Sequence, residues 1–337
     1  MLIRSIEAQW MSVSRYRFYL RLLLRWLPHA RWRQVWNLIL FRLWVGTRRD
    51  CLPCGPINVL VWASRRCNKR CNFCHYHGEL AAPSAEGQDL SVSTFLAMLE
   101  HPDLKRSLRL SFYGGEPLLN PDLPAMIQLA RHRGHLVSIN TNGRLLAKRA
   151  AELIAVMPDL LCVSAYPEDI DALRHSLPRL TPVVPVKLGV LFEAGQESVV
   201  ERTLQLAADT GVQAVFVEYV CGNGVVAGAD GRDLINTEFR RRCERRFGRQ
   251  LFIVWPAPRA TEPRCAELWS TMVVTLDGQV GPCCVTPLAT YHGSLFASEG
   301  GWNAPWRQHL RRDFRQGRLP DYCVNCRFAY SDPLELG

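Results

Sequence analysis

The sequence predicts an α/β protein built on a parallel sheet, and three observations carry that prediction. Six short β-rich runs alternate with helical stretches between residues 57 and 250, the order of repeated strand–helix–strand units. Cysteine, glycine and asparagine motifs follow the first three of those runs, where the C-terminal ends of parallel strands place active sites. The length of 337 residues, at 48% hydrophobic and 21% charged, suffices for a full core with an appendage and shows no disordered or collagen-like bias. The sheet is either open or curled into a partial barrel.

Residues 1–54 form the first of three expected domains. They read as two helices broken near Pro28, with Arg17, Arg21 and Arg25 on one stripe of the first and Leu20, Leu22, Leu23 and Leu24 around the rest. Half of the chain's ten tryptophans lie here: Trp10, Trp26, Trp32, Trp36 and Trp44. Such a segment suits an anionic membrane interface, where rings meet the headgroup layer and guanidinium groups meet phosphates. The competing expectation, favoured by the periodic apolar face, is that the helices pack on the rest of the chain and show Arg to water. Residues 1–50 hold ten Arg against Glu7 and Asp50, so they carry +8 of the net +10 and the remaining chain is nearly neutral. The basic segment lacks a recognisable nucleic-acid-binding fold, which argues against nucleic acid as a partner.

Strands are expected at Val59–Trp62, Leu108–Phe112, Leu136–Ile139, Leu160–Ser164, Val183–Leu191 and Ala214–Tyr219, within a second domain of residues 55–250. Beyond it the alternation stops. Residues 251–337 are Pro-rich at first, then show a hairpin-like Thr271–Leu276 run ending in Asp277-Gly278, then a cysteine-bearing tail. Arg15, Arg17, Arg21 and Arg25 interrupt the N-terminal apolar runs, so no signal-peptide layout is expected, and no run of about 18 apolar residues marks a membrane span. The expected location is the cytoplasm, with peripheral contact at the inner membrane surface as the alternative.

Thirteen cysteines, an odd count, argue against a fully paired secreted scaffold and for metal. Cys67, Cys71 and Cys74 form a CxxxCxxC run directly after the first strand. Three thiolates on one loop can hold three irons of a [4Fe–4S] cluster and leave the fourth open to an exogenous ligand. Zinc, completed by His75 or His77, is the competing structural reading.

With Phe112-Tyr-Gly-Gly-Glu-Pro117 after the second strand, Asn140-Thr-Asn-Gly143 after the third and Val163-Ser164 after the fourth, the chain resembles the radical S-adenosylmethionine (SAM) superfamily over most of residues 57–326. The resemblance implies a partial (β/α)6 TIM-like barrel. It implies Cys67, Cys71 and Cys74 as ligands of a [4Fe–4S] cluster whose open iron SAM chelates. Gly114, Gly115 and Glu116 would receive the methionyl ammonium, Asn140 and Asn142 the ribose hydroxyls, and Ser164 a ribose or carboxylate oxygen. Tyr76 stands where the family contacts adenine, often by backbone. Tyr113 departs from the small residue usual before the two glycines. The implied chemistry is reductive cleavage of SAM to a 5′-deoxyadenosyl radical that abstracts a hydrogen atom from substrate, with a reducing partner such as flavodoxin or ferredoxin.

Cys265, Gly278 and Cys283, followed by Cys323 and Cys326, are similar to the auxiliary-cluster domains of such enzymes, the SPASM domain and its shortened twitch form. No cysteine follows Cys326, so the expectation is a small twitch-like domain holding one auxiliary [4Fe–4S] cluster on Cys265, Cys283, Cys323 and Cys326, with Cys284 as a substitute for Cys283. A zinc ribbon is the alternative for the same four thiols. Cys51-Leu-Pro-Cys54 reads as two ordinary thiols, with a further metal site shared with distant cysteines as the alternative, and Cys162 and Cys243 stand outside the assigned ligands. Cys221, after the last barrel strand, is a candidate hydrogen-atom donor, against the reading of a small buried hydrophobe.

With no evident leader-recognition domain, the expected substrate is a small molecule, sugar- or nucleotide-like. The auxiliary cluster would assist oxidation, epimerisation or bond formation. The alternatives are a maturase of a ribosomal peptide or protein and a non-catalytic Fe–S or zinc binding protein. The N-terminal segment, residues 1–50, would contact a membrane or a lipid-linked substrate.

Overall fold

The computed structural model describes residues 13–74, 76, 78–219, 221–222, 225–226, 235–256, 262–263, 265–324 and 326–330. The strands are β1 (Asn58–Ser64), β2 (Arg109–Gly114), β3 (Leu136–Thr141), β4 (Leu160–Ser164), β5 (Val186–Phe192), β6 (Ala214–Tyr219), β7 (Cys221–Gly222), β8 (Val225–Val226), β9 (Phe252–Val254), β10 (Thr271–Val274) and β11 (Val280–Gly281). The helices are α1 (Val13–Trp26), α2 (Trp32–Trp44), α3 (Val92–Glu100), α4 (Pro102–Arg106), α5 (Leu123–His132), α6 (Leu146–Val156), α7 (Ile170–Leu180), α8 (Glu197–Thr210), α9 (Thr237–Phe247), α10 (Glu267–Ser270), α11 (Pro305–Arg315) and α12 (Asp321–Val324). All six expected strands are present, separated by helices, which is the predicted α/β class.

The chain divides into two compact units: Met1–Pro28 with Asn140–Val220 and Asp233–Pro256, and His29–Ile139 with Cys221–Arg232 and Ala257–Gly337. In the latter the strand order is β11-β10-β1-β2-β3. β1 pairs in parallel with both β2 and β10, and β2 with β3, while β10 and β11 close antiparallel around Gly278, whose φ of +84° only glycine adopts easily. Six of the seven β1 residues are buried, as expected for a strand covered on both faces. The predicted hairpin is therefore there, but its first strand also joins the main sheet beside β1.

In the other unit β4, β5, β6 and β9 follow one another, all parallel. β5 alternates between buried and half-buried residues, and α8 stops at Gly211 with φ +73°, a left-handed helix end. β9 lies where the alternation was expected to have stopped. Phe252-Ile-Val is too short to show a period of its own, and only its pairing with β6 makes it a strand.

The two N-terminal helices form as expected, broken by a single turn at Leu27–His29. Their arginines are not arranged as the sequence suggested. α1 buries Phe18, Leu22 and Trp26, and Arg21 and Arg25 turn inward with them. Arg25 donates to the carbonyls of Val183 (2.8 Å), Met157 (3.2 Å) and Pro158 (3.2 Å), and Arg21 to those of Thr181 (3.2 Å) and Pro182 (3.4 Å). Carbonyls at and just after the C-terminal ends of α6 and α7 have no intrahelical partner, and a guanidinium fork satisfies several at once. Among the described residues no helix is long and apolar enough to cross a membrane.

Candidate functional site

The CxxxCxxC segment begins where β1 loses register. Trp62 faces Tyr113 but Ser64 faces Gly114, so one residue of β1 bulges and the strand turns out of the sheet. Arg66 braces the turn: it pairs with Asp89 and donates to the carbonyls of Pro83 (2.8 Å) and Leu119 (2.6 Å). The backbone of Cys67 donates to Ala81 O (3.1 Å), that of Cys74 to Cys71 O (3.1 Å), and Lys69 N donates to Cys67 Sγ (3.4 Å). Cys67, Cys71 and Cys74 are all half-buried. Burial, above all, raises the Cys67 and Cys74 thiols from their ordinary range, and the neighbouring thiols add to it, a sign that the three share one field.

The two glycines at the end of β2 are pinned onto the residues that precede this loop. Gly115 N donates to Ser64 O (2.8 Å) and Glu116 N to Arg66 O (2.7 Å). A Cβ on Gly115 would lie 2.3 Å from Arg66 O, and one on Gly114, at φ +116°, would lie 2.6 Å from Ser64 O. No side chain fits at either position without moving backbone. Glu116 is fully buried, and its Oε1 accepts from Leu118 N at 3.0 Å. The structure thus brings Cys67, Cys71, Cys74, Gly114, Gly115 and Glu116 together in one unit.

Tyr76 has a buried side chain, not an incidental one. Its ring packs edge-on to Trp62 at 4.6 Å, and its hydroxyl donates to Cys284 O (2.9 Å). Tyr113 donates to the same carbonyl (3.0 Å), and Tyr291 OH stands 3.2 Å from Tyr76 OH. Cys74 and Cys284 both pack against this aromatic cluster. Sequence reading missed Trp62 and Tyr291 and took Tyr113 only as a departure from the family pattern. The aromatic excess near the motifs was the available signal.

Asn140, Asn142 and Ser164 belong to the other unit. Asn140 is half-buried in β3, and Ser164, half-buried, ends β4. Asn142 is buried with its Oδ1 accepting from Arg144 N (3.1 Å), and Gly143 turns the chain at φ +83°. Cys221 pairs with Val226 in the short β7–β8 ladder. Its side chain, like His75 and His77, lies outside the described residues.

Cys265, Cys283 and Cys323 are buried and Cys326 half-buried, and all four line one cavity together with Tyr322 and Phe328. The Cys323–Cys326 turn is closed by Cys326 N donating to Cys323 O at 3.1 Å. Burial pushes the Cys265 thiol up to about 12, and Cys283 and Cys323 also rise, again chiefly by burial. Three thiols so deeply buried ionise only against a strong cation, which is the role of bound metal. Cys284 is not among the cavity-lining residues; it turns to the aromatic cluster instead.

Beside the cavity sits a residue that the sequence hid. Arg307 of α11 is fully buried, with Trp302 and Trp306 rings 4.4 and 5.6 Å from its guanidinium carbon. It donates to the carbonyls of Gly281 (3.2 Å), Pro282 (3.3 Å) and Thr271, holding the backbone that leads into Cys283. Burial lowers its pKa to about 10, opposed first by the Cys283 charge. Arg311, four residues on, is also buried, and donates to Leu268 O (3.0 Å), Asp50 O (2.9 Å) and Asn303 Oδ1 (3.0 Å). On an Arg-rich helix such a pair reads from sequence as a solvated face.

Among the described residues no three His, Cys, Asp or Glu side chains form a ready cage for a single metal ion. The residues nonetheless fit iron–sulfur clusters: three thiols on one loop beside a glycine-lined backbone cradle, and four thiols around one cavity.

Comparison with known proteins agrees with this geometry. Residues 63–226 match the model of the radical SAM superfamily, and residues 265–327 match that of the SPASM iron–sulfur cluster-binding domain. The chain belongs to the radical SAM superfamily and carries a C-terminal SPASM-type domain, a family that implies [4Fe–4S] clusters and SAM. It is similar to the PqqA peptide cyclase of Gluconobacter oxydans, 32% identical over 103 residues, 31% of this chain and 28% of that protein. It is similar to the antilisterial bacteriocin subtilosin biosynthesis protein AlbA of Bacillus subtilis, 21% identical over 300 residues, 80% of this chain and 64% of that protein. The chain thus spans less than two thirds of these curated relatives. Its fold is similar to that of Streptococcus suis SuiB bound to precursor peptide SuiA, with a TM-score of 0.61 at 13% identity, covering 86% of this chain and 73% of that one.

Proposed function

We propose that the protein is a radical SAM maturase that modifies a ribosomally made peptide. The observation that carries the reading is the alignment with the subtilosin biosynthesis protein, which runs through 80% of this chain and is not confined to the cysteine loop. The small-molecule expectation finds its support in shorter alignments, such as that to a probable GTP 3′,8-cyclase of Archaeoglobus fulgidus over 96 residues. It becomes the second reading.

When bound, the cluster on Cys67, Cys71 and Cys74 and its SAM would supply one-electron, hydrogen-abstracting chemistry. The chain's own part is placement. Gly114 and Gly115 let the chain pass against the Ser64 and Arg66 backbone where no side chain would fit, and buried Glu116 would supply negative charge for an ammonium group. Cys265, Cys283, Cys323 and Cys326 would hold one auxiliary cluster, and the Tyr76 and Tyr113 hydroxyls fix the backbone beside Cys283. A reducing protein such as flavodoxin or ferredoxin would supply the electron.

The test is anaerobic reconstitution with iron and sulfide, then incubation with SAM, dithionite and short peptides encoded beside the gene. A peptide that loses hydrogen mass while 5′-deoxyadenosine accumulates is the expected result. Deoxyadenosine formation stimulated by nucleotides or sugars but by none of the peptides would replace this reading with the second one.

A further inference from the structure

An ordinary surface helix buries its apolar stripe and shows polar residues to water. Both N-terminal helices do the reverse on their outer faces. Seen along α1, Val13, Tyr16, Leu20, Leu23 and Leu24, with Leu27 just beyond, lie opposite the buried stripe of Ser14, Phe18, Leu22 and Trp26, and all six are exposed; Leu24 is 59% exposed. The long cations of this helix that would ordinarily face water, Arg21 and Arg25, are spent on carbonyls of the helix's own unit.

α2 is inverted more completely. Its buried residues are polar: Gln34 donates to the carbonyls of Lys105 (3.0 Å) and Arg133 (3.2 Å), and Asn37 accepts from Gly55 N (2.7 Å) and donates to Pro56 O (3.1 Å). Its exposed residues are Trp32 (72%), Leu43 (68%), Trp36 (54%), Ile39 and Val35. Packing among the described residues does not account for these side chains, because what this helix buries is its amides.

The chemistry of the occupant follows from what accompanies the apolar side chains. No Asp or Glu occurs between Glu7 and Asp50, and Arg17, Arg33 and Arg42 are exposed on the same two helices. Tryptophan, tyrosine and leucine interleaved with arginine, free of acidic residues, match a layer that is apolar below and anionic above. At 14 and 13 residues the helices are roughly 20 Å long, too short to cross a bilayer and suited to lying in its surface.

We propose that α1 and α2 each present a face that binds an anionic lipid surface, the outward apolar side chains of each helix entering the headgroup boundary while its exposed arginines meet phosphates.

The experiment is co-sedimentation of the full-length protein with vesicles of phosphatidylcholine containing phosphatidylglycerol, against vesicles of phosphatidylcholine alone, at low and high salt. The proposal expects partition onto the anionic vesicles roughly tenfold or more above the neutral ones, weakened by salt. It also expects L20E/L24E and W36E/L43E to lose that partition by a similar factor while keeping the wild-type circular dichroism and thermal midpoint. Equal partition of wild type and both variants would overturn it. So would a wild-type protein that ignores the anionic vesicles, whether it stays monomeric or forms a dimer that L20E/L24E dissociates; the dimer would assign the face to a second copy of the chain.

Discussion

The loop of Cys67, Cys71 and Cys74 and the cavity of Cys265, Cys283, Cys323 and Cys326 use the same side chain in opposite settings. The first set is half-buried on a loop that leaves the sheet at a strand bulge, with a glycine backbone cradle beside it. In the second, three of four thiols are buried, and a buried guanidinium holds the backbone leading into Cys283. An open loop suits a metal that must take an exchangeable ligand, whereas a dry cage suits one that is held for good. One chain thus carries an open set of thiols and an enclosed one.

Breaking the open site has the largest expected effect. Cys71→Ala should abolish 5′-deoxyadenosine formation while leaving the iron of the second set in place; retained SAM cleavage would remove the loop from the chemistry. Cys323→Ala should cost about one cluster's worth of iron, roughly four atoms per chain, and lower the thermal midpoint, because the cavity loses its staple. Unchanged iron would take Cys323 out of the ligand set. Gly115→Ala should weaken SAM binding by about tenfold or more, since the added methyl meets Arg66 O and the cradle must shift. Titration calorimetry showing wild-type affinity would mean that the cradle does not touch SAM. A chelator should sharpen the contrast: iron held by the half-buried loop is expected to leave well before iron held in the cavity, and loss at one common rate would erase the distinction. The smallest effect is expected from Tyr113→Phe, which removes one hydrogen bond to Cys284 O and should cost about 1 kcal/mol of stability in a denaturant titration.

The motif residues were the most legible part of the molecule. The CxxxCxxC and Gly-Gly-Glu-Pro elements are local in sequence, and so is the backbone chemistry that makes them useful. All six strands of the alternating region were legible for the same reason, each long enough to show its own pattern. What stayed hidden depends on partners distant in the chain. β10 belongs to the sheet only because Thr271–Val274 pairs with Asn58–Val61, and β9 only because it meets β6. Arg307 and Arg311 look like surface cations until the carbonyls that they satisfy are in view, and Arg21 and Arg25 were misread in the same way. Arginine, with its long stem and five donors, is the residue whose burial a sequence conceals best. The choice between Cys283 and Cys284 was likewise open in sequence. The fold turns Cys283 to the cavity and Cys284 to the Tyr76–Tyr113–Tyr291 cluster.

Iron and sulfide counting on the anaerobically reconstituted wild-type protein, run beside Cys71→Ala and Cys323→Ala, tests the two-site account most directly. The account predicts about eight irons per chain in the wild type, with each variant losing roughly half. About four irons in the wild type, with zinc in place of the remainder, would contradict it.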